Sequence, residues 1–491
     1  MYAVVAVYRS ILGNVQAAAD LSRRGFIASA APIAAAAAPT AAQESERTHS
    51  NIVLFIADQV RRDAVSAYGE NPVQLTPNLD TAAKNGTLFQ NMFTNQPLCS
   101  PSRACLFTGQ YGARNGVWRN TGGGVGIKPD AVTLATECRK AGYSANYIGK
   151  WHLADGPNGP VPAQQRGGFL NLWQASNALE LTSHPFEGDL YDGDGRAIHF
   201  QNEYRVDFLT GLAQKFIGNV STSSPFLLVV SYLEPHHQND EHRFVAPPGY
   251  AERYRNPSVP RDLRFFPGTW QQHLPSYYGC IRSIDEAFGK IRDALARRGL
   301  DKRTILAFIS DHGCHFMTRN TEYKRSGHDA SIRIPLLIEG PGFEGGREVR
   351  RFTRMVDVTP TLLDAAGLRV PASMQGRSAM PLVAGKPTDW TDEVFVQLSE
   401  FWVGRALRTP QWTYVAVAPR QGGEFRPERS APRYYSFQLY DNYADPDQLV
   451  NLAGRRETTE IEKNLRERLT AAMQMAGDTQ AEVLPCPYPY A

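Results

Sequence analysis

Continuous apolar runs recur along the chain and predict strands that are buried on both faces. A run without polar alternation is typical of strands inside a parallel sheet, where helices cover both sides. The clearest runs are Asn51–Ala57, Pro225–Leu233 and Thr304–Ser310, and shorter or weaker ones are Ser144–Ile148 and Ile334–Ile338. These runs predict the central strands of one sheet.

Helical patterns lie between the runs. One helix is predicted to begin at Pro77, after the capping residue Thr76, and to end at Gly86. A second helix is indicated by apolar residues on one helical face and a stop glycine after them: Ile284, Phe288, Ile291, Leu295 and Gly299. Strands that alternate with helices predict an α/β fold with a large, mostly parallel mixed sheet flanked by helices.

The pattern changes after about residue 390. The segments Arg405–Thr409, Trp412–Val417 and Tyr434–Tyr440 favour short antiparallel strands. A final helix has apolar residues at every fourth position: Ile461, Leu465, Leu469 and Met473. We therefore predict a catalytic domain over residues 43–390 and a smaller C-terminal α+β subdomain over residues 391–491.

The composition excludes some classes of protein. The 491 residues include 52 basic and 49 acidic side chains, a net charge of +3, so no nucleic-acid partner is expected. No apolar run is long enough to span a bilayer, so no membrane anchor is expected.

The six cysteines do not have the spacing of a zinc site. They allow one or two disulfides, but their spacing does not select the partners. The sequence leaves the oligomeric state open.

The N-terminus predicts export. Paired arginines, Arg23 and Arg24, precede an alanine-rich stretch that ends near Ala42. This pattern is typical of a twin-arginine signal, here residues 1–42, with a mature chain from about Gln43 in the periplasm or outside the cell. Twin-arginine transport carries folded proteins, which suits a protein that is modified or loaded with metal before export.

Polar residues follow four of the predicted strands. In open α/β sheets, ligands bind beyond the carboxyl ends of the strands, so these residues are expected to share one site. The exits are Asp58-Gln59, Lys150-Trp151-His152, Glu234-Pro235-His236-His237 and Asp311-His312. A single residue of this kind is usually a cap or a surface side chain, but four such exits together favour a functional site.

The residue types at these exits fall into two sets. Asp58, Gln59, Asp311 and His312 offer mainly oxygen ligands, which favour Ca²⁺ or Mg²⁺, although the histidine also allows Mn²⁺ or iron. Donors that can hold a tetrahedral anion form the other set: Arg103, Lys150, His152 and His236. A metal beside such donors is the apparatus for cleaving a phosphate or sulfate ester.

The stretch Cys99-Ser100-Pro101-Ser102-Arg103, followed by Leu106-Phe107-Thr108-Gly109, resembles the motif of type I sulfatases in the alkaline phosphatase superfamily. The resemblance continues in order through Thr76–Asp80, Gly149–His152, Asp311–Gly313 and Asp445–Leu452, and so covers nearly the whole mature chain. It implies an alkaline-phosphatase-like fold, sulfate-ester hydrolysis and a sulfated substrate.

The resemblance also implies that a maturase oxidises Cys99 to Cα-formylglycine. Its hydrate has two hydroxyl groups: one attacks sulfur, and deprotonation of the other releases sulfate by C–O cleavage and restores the aldehyde. Arg103, one helical turn later, is expected to reach back toward this group and toward the oxyanion on the metal side.

The remaining roles are also carried over from the resemblance. The metal ligands are Asp58, Gln59, position 99, Asp311 and His312, with Ca²⁺ expected first and Mg²⁺ or Mn²⁺ as alternatives. The catalytic residues are Cys99, Arg103, Lys150, His152, His236 and Lys324. His236 is the expected leaving-group acid, and His237 is the alternative because both residues follow Pro235.

Two loop-like stretches, 154–205 and 238–275, are rich in Gly, Pro, Asn and charge, and are predicted to surround the site. Candidate substrate contacts, which suit a sulfated carbohydrate but also fit solvated loops, are His237, Trp118, Arg119, Arg243 and His328.

Two ligand pairs depart from the family pattern. The family often has Asp-Asp and Asp-Asn where this chain has Asp58-Gln59 and Asp311-His312. The combination found here also resembles phosphonate monoester hydrolases and choline sulfatases. The leading interpretation is thus an exported sulfatase. The alternatives are a phosphonate monoester hydrolase or phosphodiesterase with the same nucleophile, and a non-catalytic protein that binds sulfated glycans.

Overall fold

The computed structural model describes residues 49–419, 427–478 and 481–487. The predicted export signal, residues 1–42, lies outside these residues. None of the helices described in these ranges combines the length and the apolar character needed to cross a bilayer.

Seventeen strands and eleven α-helices occur within the described residues. The strands are β1 (Asn51–Ala57), β2 (Thr87–Phe93), β3 (Ser144–Lys150), β4 (Trp173–Ser176), β5 (Ser183–His184), β6 (Glu187–Tyr191), β7 (Ala197–Gln201), β8 (Phe226–Tyr232), β9 (Thr304–Ser310), β10 (Arg333–Ile334), β11 (Leu336–Glu339), β12 (Arg347–Arg354), β13 (Val394–Leu398), β14 (Gly404–Arg408), β15 (Trp412–Val417), β16 (Arg433–Asp441) and β17 (Glu482–Leu484). The helices are α1 (Pro77–Asn85), α2 (Cys99–Thr108), α3 (Gly112–Asn115), α4 (Leu134–Lys140), α5 (Leu179–Thr182), α6 (Arg205–Asn219), α7 (Trp270–Arg297), α8 (Asp329–Ile332), α9 (Met355–Ala365), α10 (Met380–Val383) and α11 (Thr459–Ala476).

The large sheet has a parallel centre. Strands β4, β3, β8, β1 and β9 are adjacent in that order and run in the same direction. Beyond β9, strand β11 pairs antiparallel with β9 and β2, which makes the sheet mixed. The predicted α/β class with a mostly parallel mixed sheet is confirmed.

The two faces of the sheet are both buried, as the unbroken apolar runs predict. On β1, residues Ile52, Leu54 and Ile56 pack in one hydrophobic cluster, and Val53 and Phe55 pack in the other. Each fully buried side chain of this kind stabilises the fold by about 1.5–3 kcal/mol. This two-sided packing fixes where the ends of the central strands lie.

Two expectations about local structure were wrong. The stretch 154–205 is not only loop, because it contains β4–β7 and α5, which extend the sheet beyond β3. These strands are short and partly exposed, so they lack the apolar run that marked the central strands. The predicted strand Ile334–Ile338 is divided into β10 and β11 at Pro335, which has no N–H to donate.

A second sheet follows in the chain. Its order is β13-β14-β15-β16-β17, antiparallel except for the last pair, and α11 packs beside it. This confirms a smaller α+β unit near the C-terminus. The boundary at residue 390 stays a prediction.

A substitution at Gly149 tests how closely the backbones of β3 and β8 approach each other. Its φ is +100°, and a Cβ built at this position would lie 2.1 Å from the backbone oxygen of Ser231. We expect Gly149→Ala to lower the free energy of unfolding by at least about 2 kcal/mol, because backbone strain adds to a steric clash. Chemical denaturation measures the change.

Gly156→Ala is the matched control, since a Cβ built at Gly156 would have no neighbouring atom within 4 Å. Equal stability of the two variants would contradict the close approach of β3 and β8.

Candidate active site

The functional candidates converge because four adjacent parallel strands end at one edge. The order β3-β8-β1-β9 places next to one another the segments that follow these strands. Strand β3 leads to Lys150 and His152, and β8 leads to His236. Strand β1 leads to Asp58 and Gln59, and β9 leads to Asp311 and His312.

Two of these residues have strained backbones. Gln59 and His152 have φ values of 71° and 58°, which place non-glycine residues in the left-handed region. Such conformations cost about 1–3 kcal/mol and cluster at functional sites. Each residue lies just after a strand, where the turn redirects the chain across the site.

Cys99 lies at the centre of the converging groups. It is the first residue of α2 and is 2% exposed. Its Sγ is 3.0 Å from Lys324 Nζ, 3.4 Å from His312 Nε2, 3.7 Å from Lys150 Nζ and 3.8 Å from Asp58 Oδ1. The partial positive charge at the N-terminus of α2 adds to this cationic surrounding.

Arg103 is fully buried beneath the site. Its guanidinium donates to Asp311 Oδ2 and Asp58 Oδ2, both at 3.2 Å, and to Ser231 Oγ at 2.7 Å. Among the described residues it makes no hydrogen bond with the Cys99 side chain. Arg103 thus fixes the two carboxylates on the metal side of the site, and its stabilising role toward the matured group at position 99 stays a prediction.

Four side chains form a compact set of potential metal ligands. Ligand atoms of Asp58, Cys99, Asp311 and His312 all lie within 4.8 Å of one another, and all four residues are buried. The Oε1 atom of Gln59 is also buried and has no hydrogen-bond partner among the described residues, so it can serve as a further ligand.

The His312 ring is oriented for binding a cation. Its Nδ1 lies 3.0 Å from the carbonyl oxygen of Gly313, which can only accept a hydrogen bond. The proton is therefore on Nδ1, and the lone pair of Nε2 faces Asp58 Oδ1, 3.4 Å away.

The electrostatics of the two carboxylates fit a divalent cation. Burial favours the neutral form of Asp58, but Lys150, His236 and Lys324 outweigh burial and hold its pKa well below the usual range. Burial and the neighbouring Asp58 raise the pKa of Asp311. A cation that contacts both carboxylates would relieve this repulsion, and two carboxylates, an amide oxygen and one imidazole suit Ca²⁺, Mg²⁺ or Mn²⁺.

The two lysines also act on Cys99. Burial opposes ionisation, but Lys150 and Lys324 hold the pKa of the encoded thiol well below its usual value. Position 99 is therefore a site where negative charge is stabilised.

Lys324 and His236 form a pair beside Cys99. Lys324 Nζ is 3.1 Å from His236 Nε2, and His236 Nδ1 is 2.7 Å from the carbonyl oxygen of His237. The carbonyl fixes the proton on Nδ1, so Nε2 of His236 faces the reacting centre.

Lys150 and His152 form a second group, around Glu180. Lys150 Nζ is 2.8 Å from Asp58 Oδ2 and 3.0 Å from Glu180 Oε1, and His152 Nδ1 is 3.6 Å from the same Glu180 oxygen. Sequence reasoning missed Glu180, which lies in a stretch predicted to be loop. Its only signal is an acidic residue between Leu179 and Leu181.

Ser231 was also missed. It is the polar residue in the otherwise apolar strand β8, and it receives a hydrogen bond from Arg103. A polar residue inside a doubly buried strand was a usable signal, because such a group needs a partner.

The predicted substrate contacts lie at different places. The His237 ring stacks between His236 and Tyr323, at centroid distances of 4.5 Å and 4.2 Å. Trp118 and Arg119 lie in a loop next to the first turn of α2, where the neighbouring Asn120 accepts a hydrogen bond from the Ser100 N–H. The Arg119 guanidinium donates to the carbonyl oxygens of its own loop.

The structure does not bring the last two candidates to the reacting centre. Arg243 is an exposed side chain paired with Glu241. His328 is 3% exposed and lies 3.1 Å from the hydroxyl of Tyr440, which belongs to the second sheet. In the sequence, His328 follows the candidate residue Lys324 by four positions. In the structure, it immediately precedes α8, and its side chain faces Tyr440 of the second sheet.

Two family models match this chain. The model described as sulfatase matches residues 50–368, and the model described as N-sulphoglucosamine sulphohydrolase, C-terminal, matches residues 321–475. An ulvan-active sulfatase of Formosa agariphila is 29% identical over 456 residues, which cover 89% of this chain and 84% of the relative. An N-acetylglucosamine-6-O-sulfatase of Bacteroides thetaiotaomicron is 24% identical, and the matched residues cover 90% of this chain and 89% of the relative.

Solved structures share the fold. One, from work on glycosaminoglycan metabolism by Bacteroides thetaiotaomicron, has a TM-score of 0.77 at 24% identity and covers 88% of this chain and 97% of that one. A phosphonate monoester hydrolase from Silicibacter pomeroyi has a TM-score of 0.64 at 21% identity and covers 88% and 96%, respectively. At these identities the likeness concerns the fold alone.

Asp311→Asn tests the candidate metal centre. The change removes one anionic ligand and leaves the shape of the side chain, so we expect metal affinity to fall at least about tenfold. Equilibrium dialysis against Ca²⁺, Mg²⁺ and Mn²⁺ with elemental analysis measures the affinity. Asp194→Asn, an exposed residue, is the control. Unchanged metal content in Asp311→Asn would reject this ligand.

Proposed function

The chain belongs to the sulfatase family, and from that premise we propose that it hydrolyses the sulfate ester of a carbohydrate, with Cys99 matured to formylglycine. The observation that carries the proposal is the position of Cys99. Its Sγ lies within 4 Å of the potential metal ligands Asp58 and His312 and of the ammonium groups of Lys150 and Lys324. Sγ marks the place where the aldehyde carbon's oxygen substituents would lie.

The proposed metal is a single divalent cation, with Ca²⁺ as the first candidate. Asp58, Gln59, Asp311, His312 and the matured position 99 would hold it, and Arg103 keeps Asp58 and Asp311 in place. The cation, when bound, supplies positive charge opposite the ester oxygens.

Matured position 99 supplies two hydroxyl groups, of which one attacks sulfur and the other, once deprotonated, allows sulfate to leave by C–O cleavage. Lys324 and His236 are placed to bind the sulfate oxygens beside position 99. His236 is also the proposed acid for the leaving alcohol; it would act as the imidazolium, keep the Nδ1 proton on the His237 carbonyl and give up the Nε2 proton. His152 is the proposed base for the second hydroxyl, and Lys150 stabilises negative charge on position 99.

The shape of the surroundings supports a carbohydrate as the alcohol. A pocket of about 490 Å³ lies next to the catalytic pair and is lined by Tyr323 and His237. Its other lining groups are largely amides, hydroxyls and imidazoles, among them Asn239, Thr269, Gln272 and His273. Polar groups of this kind hydrogen-bond sugar hydroxyls, and the volume suits a small ligand.

The ulvan-active and N-acetylglucosamine-6-O-sulfatase relatives act on sulfated sugars according to their names. The proposal brings that substrate class to this chain. We further propose export by the predicted twin-arginine signal and maturation by a formylglycine-generating enzyme.

The phosphonate monoester hydrolase alternative has a specific observation in its favour, which is the shared fold with the enzyme from Silicibacter pomeroyi. Rates of the matured protein on aryl sulfate, aryl phosphonate and a panel of sulfated sugars separate the two functions. A higher kcat/KM on the phosphonate than on every sulfate ester would overturn the sulfatase proposal.

Cys99→Ala should abolish turnover and leave the fold intact, because the residue acts as a reagent and not as packing. Sulfate release and circular dichroism with thermal unfolding measure the two parts of this prediction, and peptide mass spectrometry checks that position 99 is matured in the wild-type reference. Cys105→Ala, further along α2 and equally buried, is the control that should retain activity. Residual activity of Cys99→Ala within about tenfold of wild type would contradict the role.

The substitution His236→Gln should lower kcat/KM most for substrates with poor leaving groups. A sugar alkoxide needs a proton as it departs, but a nitrophenolate does not. We therefore expect kcat/KM to fall about 100-fold or more on a sugar sulfate and less than about tenfold on nitrophenyl sulfate. The same comparison with His237→Gln tests the alternative. If that variant shows the larger leaving-group dependence, His237 is the acid.

A further inference from the structure

Glu180 is a buried carboxylate at the reacting centre with no role in the function proposed above. It lies in the short helix α5, between β4 and β5, and is 8% exposed. Its Oε2 atom has no hydrogen-bond partner among the described residues, and its Oε1 atom is shared by two catalytic candidates.

The first contact fixes Lys150. Its ammonium group lies between Glu180 Oε1 at 3.0 Å and Asp58 Oδ2 at 2.8 Å, so it is held from both sides. A lysine side chain has considerable rotamer freedom, and a second carboxylate confines the ammonium to one position. That position is 3.7 Å from Cys99 Sγ.

The second contact concerns His152. Its Nδ1 is 3.6 Å from Glu180 Oε1, a charge contact slightly longer than a hydrogen bond, and it has no hydrogen-bond partner among the described residues. His152 is also among the residues that lower the pKa of the Cys99 thiol, so its ring lies near position 99. Since Nδ1 faces Glu180, the interaction with position 99 falls to Nε2.

Glu180 is anionic despite its burial. Burial would favour the neutral acid, but Lys150 and His152 outweigh it and lower the pKa of Glu180 to about 2. A buried negative charge near a site for an anionic ester opposes binding of that ester. Its presence is therefore explained better by what it does to Lys150 and His152 than by substrate affinity.

We propose that Glu180 is a positioning residue, which holds the Lys150 ammonium and selects the His152 tautomer with the proton on Nδ1. The negative charge of the carboxylate stabilises an N–H that faces it, so the proton is favoured on Nδ1, and the Nε2 lone pair is left to take a proton from the group at position 99. This inference rests on the proposed function.

The kinetic test is Glu180→Gln in the matured enzyme with nitrophenyl sulfate. We expect kcat to fall about 10- to 100-fold, as for other residues that orient a catalytic group. KM should stay unchanged or fall, since removal of a negative charge does not weaken binding of an anion. A kcat within twofold of wild type, or a loss confined to KM, would overturn the proposal.

Two comparisons separate positioning from general damage. Glu187→Gln changes an exposed residue of β6 in the same segment and should leave both constants unchanged. The double variant His152→Gln/Glu180→Gln should lose clearly less activation free energy, calculated from kcat, than the sum of the losses of the two single variants. The reason is that Glu180 acts through His152. A loss in the double variant equal to the sum of the two single losses would count against the proposal.

A readout without turnover uses the unmatured protein. Nitrogen NMR of ¹⁵N-histidine-labelled protein, with the His152 signals assigned by loss in His152→Gln, reports which ring nitrogen carries the proton. Wild type should show the proton on Nδ1, and Glu180→Gln should show a mixture. An unchanged tautomer would overturn the inference.

If Glu180→Gln does not fold, Glu180→Asp shortens the side chain and should also disturb the tautomer. If matured wild type cleaves no sulfate ester, the proposed function fails, whereas the NMR result still decides the contact between Glu180 and His152.

Discussion

The contact between the Arg103 guanidinium and the two carboxylates of Asp58 and Asp311 is the interaction on which the site depends. Both carboxylates are fully buried and lie at the ends of neighbouring strands, β1 and β9. Two such charges repel each other in a medium of low polarity. One guanidinium that donates to both makes their common burial possible and fixes their spacing. The cost of removing Arg103 would therefore fall on the candidate metal centre more than on Cys99 directly.

The sheet supplies the geometry that this contact needs. Parallel strands bring the residues after β3, β8, β1 and β9 to one edge, although these residues are far apart in the sequence. Helix α2 then places Cys99 and Arg103 one turn apart, so that the first faces the edge and the second lies beneath it. The proposed nucleophile position and the residue that organises the carboxylates thus lie on a single helix.

Much of this could be predicted from sequence, and the reasons are physical. Doubly buried strands are visible as apolar runs, and polar residues directly after them must lie at the sheet edge, as Asp58 and Asp311 do. Glu180 could not be found in this way, because its strand neighbours β4–β7 are short and lack a strong pattern. The partners of Arg103 were missed because helical spacing gives the position of a side chain and not its hydrogen bonds. His328 was misplaced for a related reason: a turn at α8, not sequence distance, decides which unit it contacts.

The charges at the site also bear on which ester it accepts. The described side chains around Cys99 include three cations, Arg103, Lys150 and Lys324, and three carboxylates, Asp58, Asp311 and Glu180. Their formal charges cancel, so a divalent cation would leave a modest positive excess. A sulfate monoester carries one negative charge, whereas a phosphate monoester carries up to two near neutral pH. A buried negative charge at Glu180 would reduce the advantage of a more highly charged ester. The residue that we propose to orient Lys150 and His152 would therefore also favour a singly charged substrate, and both effects would have one origin in a buried carboxylate.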